Sequence, residues 1–300
     1  MSSSSKRRGV VGQDDEPRPS RRRHAAGRRK LLYLVLDDWK NGFSIYKIDP
    51  DALVDEGQGQ GHLPEPPVVR LESPMGSVHH DRVFFSALGT KMLVFMNHRC
   101  AVVYDTETAA VSVGPHAPAR MLCGSGVTVP AGGMVYALSH RYFDKEDPHA
   151  FHLMMQQQGK GGGWSWKTLP EPPPAELDAW VGLNLEGYVC CCRVASRSSD
   201  SESSSIIMTK EKLAYDYEGC WGDNRAMASL TYMNTSKFCV VETMMEDEDD
   251  DYCLAHQLRL TMFGLKYDRT GELRITNRRS TRSYLVSRHR YNFVPFAWWI

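Results

Sequence analysis

The chain has 300 residues, 42% hydrophobic and 10% aromatic, enough for a substantial core and too apolar for a wholly disordered polymer. Thirty-six Lys+Arg balance thirty-six Asp+Glu, so no whole-chain charge points to nucleic acid or to a membrane surface. No apolar run approaches the ~20 residues of a spanning helix, and Met1-Ser2-Ser3-Ser4-Ser5-Lys6-Arg7-Arg8 does not read as a secretory signal.

Charge is uneven along the chain. Residues 1–30 hold ten Lys or Arg against Asp14, Asp15 and Glu16, a net +7 that the remainder balances. With almost no large apolar residue before Leu31, this basic arm is expected to be disordered, leaving residues 31–300 as the folded domain. A plain solvated tail is the simplest reading of it. Lys6, Arg7, Arg8 and Arg21, Arg22, Arg23 also form two basic clusters that resemble a bipartite nuclear import signal. A transit peptide is the third reading, opposed by Asp14-Asp15-Glu16 and by the missing apolar face.

From Leu31 the chain shows no long segment with a 3.6-residue period. Short runs rich in Val, Tyr, Phe and Leu recur instead, cut by Gly, Pro, Asn and Asp, as strands and turns require. Leu31–Leu36 and Phe43–Asp49 flank Asp37-Asp38-Trp39-Lys40-Asn41-Gly42, and Asn-Gly between two such runs predicts a β-hairpin. Gly57-Gln58-Gly59-Gln60-Gly61 has no helix start behind it to receive a phosphate and reads as a loop. His79-His80-Asp81 has no matching His or Glu motif and reads as a polar loop rather than a metal ligand set. Gly89–Phe95, Ala101–Asp105 and Ala110–Val113 form the next strand group. Gly124-Ser125-Gly126 lacks the spacing of a nucleophile elbow. Gly132–Leu138 opens a further group that closes on Trp164–Pro170.

Eight cysteines resemble a disulfide count, but their placement does not. Cys190, Cys191 and Cys192 are consecutive in a strand-like run, so Cys190 and Cys192 share one face and Cys191 takes the other. Cys100, Cys239 and Cys253 also sit in strand contexts. Without zinc-ligand spacing, all are expected to be reduced small hydrophobes. Ser198–Ser205 reads as a polar loop with acidic neighbours that suit a kinase, and Asn234-Thr235-Ser236 as a chance glycosylation match. Glu246-Asp247-Glu248-Asp249-Asp250-Asp251 lacks the glycine and distal Glu of a calcium loop and reads as a solvated hairpin insertion, open to a basic partner.

The strand groups repeat. Their leads at Gly89, Gly132, Gly187 and Ser236 are 43, 55 and 49 residues apart, and four-stranded units at such periods predict a propeller. Leu63-Pro64-Glu65-Pro66-Pro67 recurs as Leu169-Pro170-Glu171-Pro172-Pro173, and Tyr104-Asp105-Thr106-Glu107-Thr108 is echoed by Tyr267-Asp268-Arg269-Thr270-Gly271-Glu272. At ~45 residues per blade, residues 31–300 hold about six blades. A two-sheet sandwich is the alternative. The paired glycines with a distant tryptophan favour the propeller, the glycines letting a strand pass close to its neighbour while the aromatic fills a blade interface.

These segments carry a resemblance. Leu32–Trp39, Val103–Thr108, Val113–Pro118, Trp164–Pro170, Leu177–Leu183 and Met262–Tyr267 are similar to a plant family expanded in grasses, catalogued as domain of unknown function 1668 and related to kelch propellers. The resemblance implies a kelch-like fold and supplies no established catalytic residues; with the residue count, the fold expected is an all-β, kelch-like β-propeller of five to six blades. Its relatives continue from the Trp-x-Trp-Lys-x-Leu-Pro segment through roughly one more blade, which here is replaced by Pro174-Ala175-Glu176. Either the ring has fewer blades or the chain is a shortened gene model or splice form, and closure of the ring is in question. The apolar end Phe293–Ile300 is expected to pack in or beside the first blade.

The function expected is a non-enzymatic binding module for a protein partner. It needs no cofactor, metal, specific nucleic acid or membrane, and acts as a monomer in the nucleus or cytoplasm. The rival is a propeller enzyme, an oxidase or hydrolase with a central-channel site. A degenerate chain without a stable fold is the third possibility.

Overall fold

Alternating apolar runs need partners on both faces, and in the computed structural model they find them as five antiparallel sheets. The structure describes residues 30–49, 61–72, 83–95, 100–122, 125–140, 149–156, 163–169, 179–184, 186–193, 206–213, 227–234, 236–245, 255–287 and 295–300. The basic arm, with both clusters of the import signal, lies outside them.

Blade 1 contains β1 (Leu32–Trp39), β2 (Gly42–Ile48) and β3 (Val69–Glu72). Blade 2 holds β4 (Phe84–Leu88), β5 (Lys91–Phe95), β6 (Cys100–Asp105) and β7 (Ala110–His116). Blade 3 holds β8 (Ser125–Ala131), β9 (Met134–His140), β10 (His149–Gln156) and β11 (Trp164–Leu169). Blade 4 has β12 (Ala179–Leu183), β13 (Tyr188–Arg193) and β14 (Ile206–Lys212), with no fourth strand among the described residues. Blade 5 holds β15 (Met227–Asn234), β16 (Lys237–Met245), β17 (Ala255–Tyr267) and β18 (Leu273–Ser287). The last strand, β19 (Phe296–Trp299), returns to blade 1, giving the order β19-β1-β2-β3. The first strands of neighbouring blades pack together, β19 on β15 and β4 on β8, so they line the ring's inside. This is a five-bladed β-propeller.

The repeat read from the sequence has a backbone cause. Gly89, Gly132, Gly187 and Ser236 occupy the turn between the first and second strands of blades 2 to 5, and all four have positive φ, from 55° to 87°. Gly132 and Gly133 therefore serve the turn. They do not admit a neighbouring strand, since a Cβ on Gly133 would meet nothing within 4 Å. The close approach falls on Gly114 and Gly264 instead. A Cβ on Gly114 would lie 2.7 Å from Val103 Cγ2, and one on Gly264 would lie 2.6 Å from Thr276 Oγ1.

The opening hairpin forms with a shorter turn than expected. β1 runs on through Asp37 and Asp38 to Trp39, which pairs with Gly42, leaving Lys40–Asn41 as the turn. An irregularity between Leu36 and Trp39 absorbs the register change, and Asp37 is buried rather than looped out.

Apolar side chains alternate onto the two faces of each sheet, and four buried clusters join neighbouring blades. Blade 1 meets blade 5 through Leu32, Leu34 and Tyr46 against Val241, Leu258 and Leu260. Its other face carries Tyr33, Val35 and Phe43 against Phe85, Met92 and Val94 of blade 2. Leu93, Phe95 and Val103 of blade 2 meet Val135, Met154, Trp164 and Trp166 of blade 3, with Phe95 and Trp166 edge to face at 5.5 Å. Val189 and Cys191 of blade 4 meet Phe238, Val240 and Phe263 of blade 5.

The ring closes despite the shortened join. β19 pairs antiparallel with β1, Leu32 opposite Trp299 and Val35 opposite Phe296. Leu31 and Ile300 exchange backbone hydrogen bonds of 2.8 and 3.0 Å. Trp298 is buried, stacked on Phe296 with centroids 5.7 Å apart and against Phe85 at 6.4 Å. The inner strands are stitched as well, Thr231 Oγ1 of β15 donating to the Ala297 carbonyl at 2.7 Å.

Candidate functional site

Antiparallel strands alternate direction, so each end of the ring collects one class of connection. The turns joining first to second strands and third to fourth strands leave from one end. Most are tight: Gly89–Thr90, Gly132–Gly133, Thr106–Ala109 and Asp268–Glu272. The Leu31–Ile300 pair sits there too. The connections from second to third strands, and from each blade to the next, leave from the opposite end. They include residues 141–148, 194–205 and 246–254 within blades, and 73–82, 170–178 and 288–294 between them. The exceptions are the short connections at Lys40–Asn41 and 96–99 on this end, 49–68 and 157–163 on the other, and 214–226, which leaves β14 at the tight-turn end, where the Leu213 N–H donates to the Gly187 carbonyl at 2.9 Å.

Buried polar groups gather toward the end with the long connections. Asp37, Ser44, Ser139, Glu242, Thr243 and His256 lie in the parts of their strands nearest it, whereas Ser86, His152, Thr209, Thr231 and Thr261 lie mid-strand. Three sites illustrate the chemistry. Between blades 1 and 5, the Tyr46 hydroxyl donates to Asp38 Oδ2 and lies 3.2 Å from Glu65 Oε1. Burial first, then those two carboxylates, push the Tyr46 phenol far above its ordinary value, so it stays a donor. Leu63 and Gly61 anchor this contact, Leu63 in the cluster between the two blades and the Gly61 N–H on the Ser283 carbonyl at 2.9 Å. Between blades 4 and 5, Arg259 Nε donates to Glu242 Oε1 at 2.5 Å on a carboxylate 1% exposed. Between blades 2 and 3, His152 Nδ1 lies 3.2 Å from Thr168 Oγ1 and the ring stands edge-on to Trp166 at 6.4 Å.

The opposite end is held by turn carboxylates. Asp105 Oδ1 accepts from the Glu107 N–H at 2.9 Å, and Asp268 Oδ1 accepts from the N–H groups of Thr270 and Glu272 at 2.9 and 3.0 Å. A hydrogen bond from Lys91, then the Glu107 N–H, lower the Asp105 carboxyl to about 2. The Thr270 hydroxyl and Arg274 pull the Asp268 carboxyl well below the ordinary range. The Tyr-Asp-Thr echo in the sequence is thus two equivalent turns.

The residues singled out by sequence fall as follows. Cys190 and Cys192 lie on one face of β13 and Cys191 on the other, where its Sγ is 3.1 Å from Tyr267 Oη. Cys190, Cys191, Cys192 and Cys239 are in no disulfide, and burial pushes the Cys239 thiol up to about 12. Ser125 and Gly126 belong to strand β8, which leaves no strand-to-helix elbow. His79-His80-Asp81, Ser198–Ser205 and Glu246–Asp251 lie outside the described residues. Among those described, no group of three or more His, Cys, Asp or Glu is placed to hold a metal ion, and no helix is long and apolar enough to cross a membrane. The buried Glu242–Arg259 pair was not singled out from the sequence. Its signal is an acid inside Val240-Val241-Glu242 and a base inside Leu258-Arg259-Leu260.

The family described as "Protein of unknown function (DUF1668)" matches residues 29–176 and 174–284. The chain belongs to the DUF1668 family. No curated protein matches this DUF1668 member. Among solved structures it is similar to apo AztD from Citrobacter koseri, at 10% identity, covering 90% of this chain and 98% of that one with a TM-score of 0.30.

Proposed function

We propose that this protein is a non-enzymatic protein-binding module, a kelch-like propeller that presents one end of its ring to a protein partner in the nucleus or cytoplasm. The observation that supports this reading is the segregation of connections. Long, polar, chemically varied segments leave one end, while tight turns fixed by Asp105 and Asp268 occupy most of the other. A ring closed by β19 holds those segments at fixed spacing, which is how a rigid scaffold turns variable loops into a specific surface. Ser198–Ser205 and Glu246–Asp251 belong to connections at this end, so their charge bears on which partner is accepted.

Chemical crosslinking in native extract, with mass spectrometry of the captured proteins, tests the reading. Neutralising Glu246–Asp251 or replacing Ser198–Ser205 by a short Gly-Ser turn should remove a defined partner while the thermal melt stays unchanged. Charge reversals at the tight-turn end, Glu107→Lys and Arg269→Glu, should leave it captured. Equal capture by all variants, or equal loss, would sink the assignment of the binding end.

A further inference from the structure

Blade 4 turns a row of sulfur atoms to one side. Cys191, on the opposite face of β13, packs in the cluster shared with blade 5 and meets Tyr267 Oη, so it takes no part. On the face with Cys190 and Cys192, cross-strand pairing sets Cys190 between Gly182 of β12 and Met208 of β14. Cross-strand partners stand about 4.5–5.5 Å apart at Cβ and same-face neighbours on a strand roughly 6.6 Å apart, so side-chain rotation can bring the three sulfurs around one ion. Asn184 orients two of them. Its side-chain carbonyl accepts from the Glu186 and Tyr188 N–H groups at 3.1 and 2.8 Å, which aims its amide at Met208 Sδ, 3.8 Å away. Its backbone N–H donates to the Tyr188 carbonyl at 3.0 Å, and Cys190 Sγ reaches the same carbonyl at 3.8 Å. The thiol and the thioether therefore flank one asparagine. Cys190 and Cys192 are half-buried and in no disulfide, and Met208 is 52% exposed, so an ion from solvent can reach them.

We propose that Cys190, Cys192 and Met208 form a binding site for a soft monovalent metal ion, Cu(I). Two thiolates and a thioether are the donor set that such an ion selects. No third His, Cys, Asp or Glu joins these thiols among the described residues, so a structural zinc ion, which takes four ligands, is short of its set. Cu(I) is satisfied by two or three sulfurs. Binding exchanges two thiol protons for one ion, with no oxidation or reduction, so the affinity rises with pH. All three donors come from one sheet, and the site needs nothing from a neighbouring blade or a second chain.

Anaerobic titration of the reduced full chain with Cu(I), in competition with a chromophoric Cu(I) chelator, tests the site. The first equivalent should shield Cys190 and Cys192, and no other cysteine, from alkylation, read by peptide mass spectrometry. X-ray absorption at the copper edge should show three sulfur neighbours in the native chain and two in Met208→Leu, which changes an exposed side chain and weakens binding by roughly tenfold. Cys190→Ser and Cys192→Ser should each weaken it by roughly a hundredfold or more. Should either serine variant fail to fold, the alkylation pattern and the spectrum of the native chain still decide. No ion held against the chelator, unchanged alkylation at Cys190 and Cys192, nitrogen or oxygen neighbours in the spectrum, a spectrum unmoved by Met208→Leu, or an affinity indifferent to the serines would each overturn the proposal.

Discussion

At the scale of single residues, the buried charges decide most. Glu242 is 1% exposed and its partner Arg259 18%, so neither ion is well solvated if the other is removed. Arg259→Met removes the guanidinium bonded to the buried Glu242 carboxylate and should destabilise by about 3–5 kcal/mol. Pairing it with Glu242→Leu should recover most of that loss, and a urea melt of the single and double variants reads the difference. Asp105 makes the complementary case in acid. Its carboxyl sits at about 2 against an ordinary 3.8, because Lys91 hydrogen-bonds to the ionised form. Its contribution is therefore complete above about pH 4 and is lost as pH falls from there through about 2. Carboxyl NMR should show the low value in the native chain and a return toward the ordinary one in Lys91→Met.

At the scale of strands, closure depends on one short element. β19 buries Ala297 and Trp298 between blades 1, 2 and 5, and without it the inner edge of β1 is left unpaired. Deleting residues 297–300 should drive the protein into aggregates, and Trp298→Ala alone should cost about 3–5 kcal/mol in a thermal melt. A gentler probe is Gly264→Ala, whose methyl would press on Thr276 Oγ1 and part β17 from β18; a lowered melting temperature is expected, relieved by Thr276→Ala. The strands themselves were legible in the sequence because their alternation and turn residues are local properties. The aligned leads at Gly89, Gly132, Gly187 and Ser236 worked because each turn demands positive φ, a demand written into residue type at three of the four. The Asp37–Gly42 turn was read too long because the burial of Asp37 and the irregularity between Leu36 and Trp39 are set by pairing with β2 and by packing, which residue type alone does not announce. Glu242 and Arg259 escaped notice for the same reason, since cross-strand partners are set by register and not by sequence distance.

At the scale of the molecule, the number of blades was the hardest quantity to read. Residue count divided by a typical blade allows six, but long connections use chain without adding strands, and five sheets form. The end proposed for binding was partly legible, since Glu246–Asp251 and Ser198–Ser205 read as polar connections. That they leave from the same end follows only from strand direction in a closed ring. The basic arm carries almost no large apolar residue before Leu31 and so has little to bury. Deleting residues 1–29 should leave the melting temperature unchanged, and a fluorescent fusion lacking Arg21, Arg22 and Arg23 should fail to concentrate in the nucleus if the clusters act as an import signal.

The pairing of Leu32 with Trp299 also sets the order of events during synthesis. The first blade emerges early but lacks its innermost strand until β19 leaves the ribosome. At roughly 5–20 residues per second, β1 waits on the order of tens of seconds with an open edge while blades 2 to 5 assemble behind it. A nascent chain stalled just short of β19 is therefore a propeller with four blades formed and a sticky seam. Such a chain should bind holdase chaperones until release, and slower translation of the codons for β19 should lengthen that dependence.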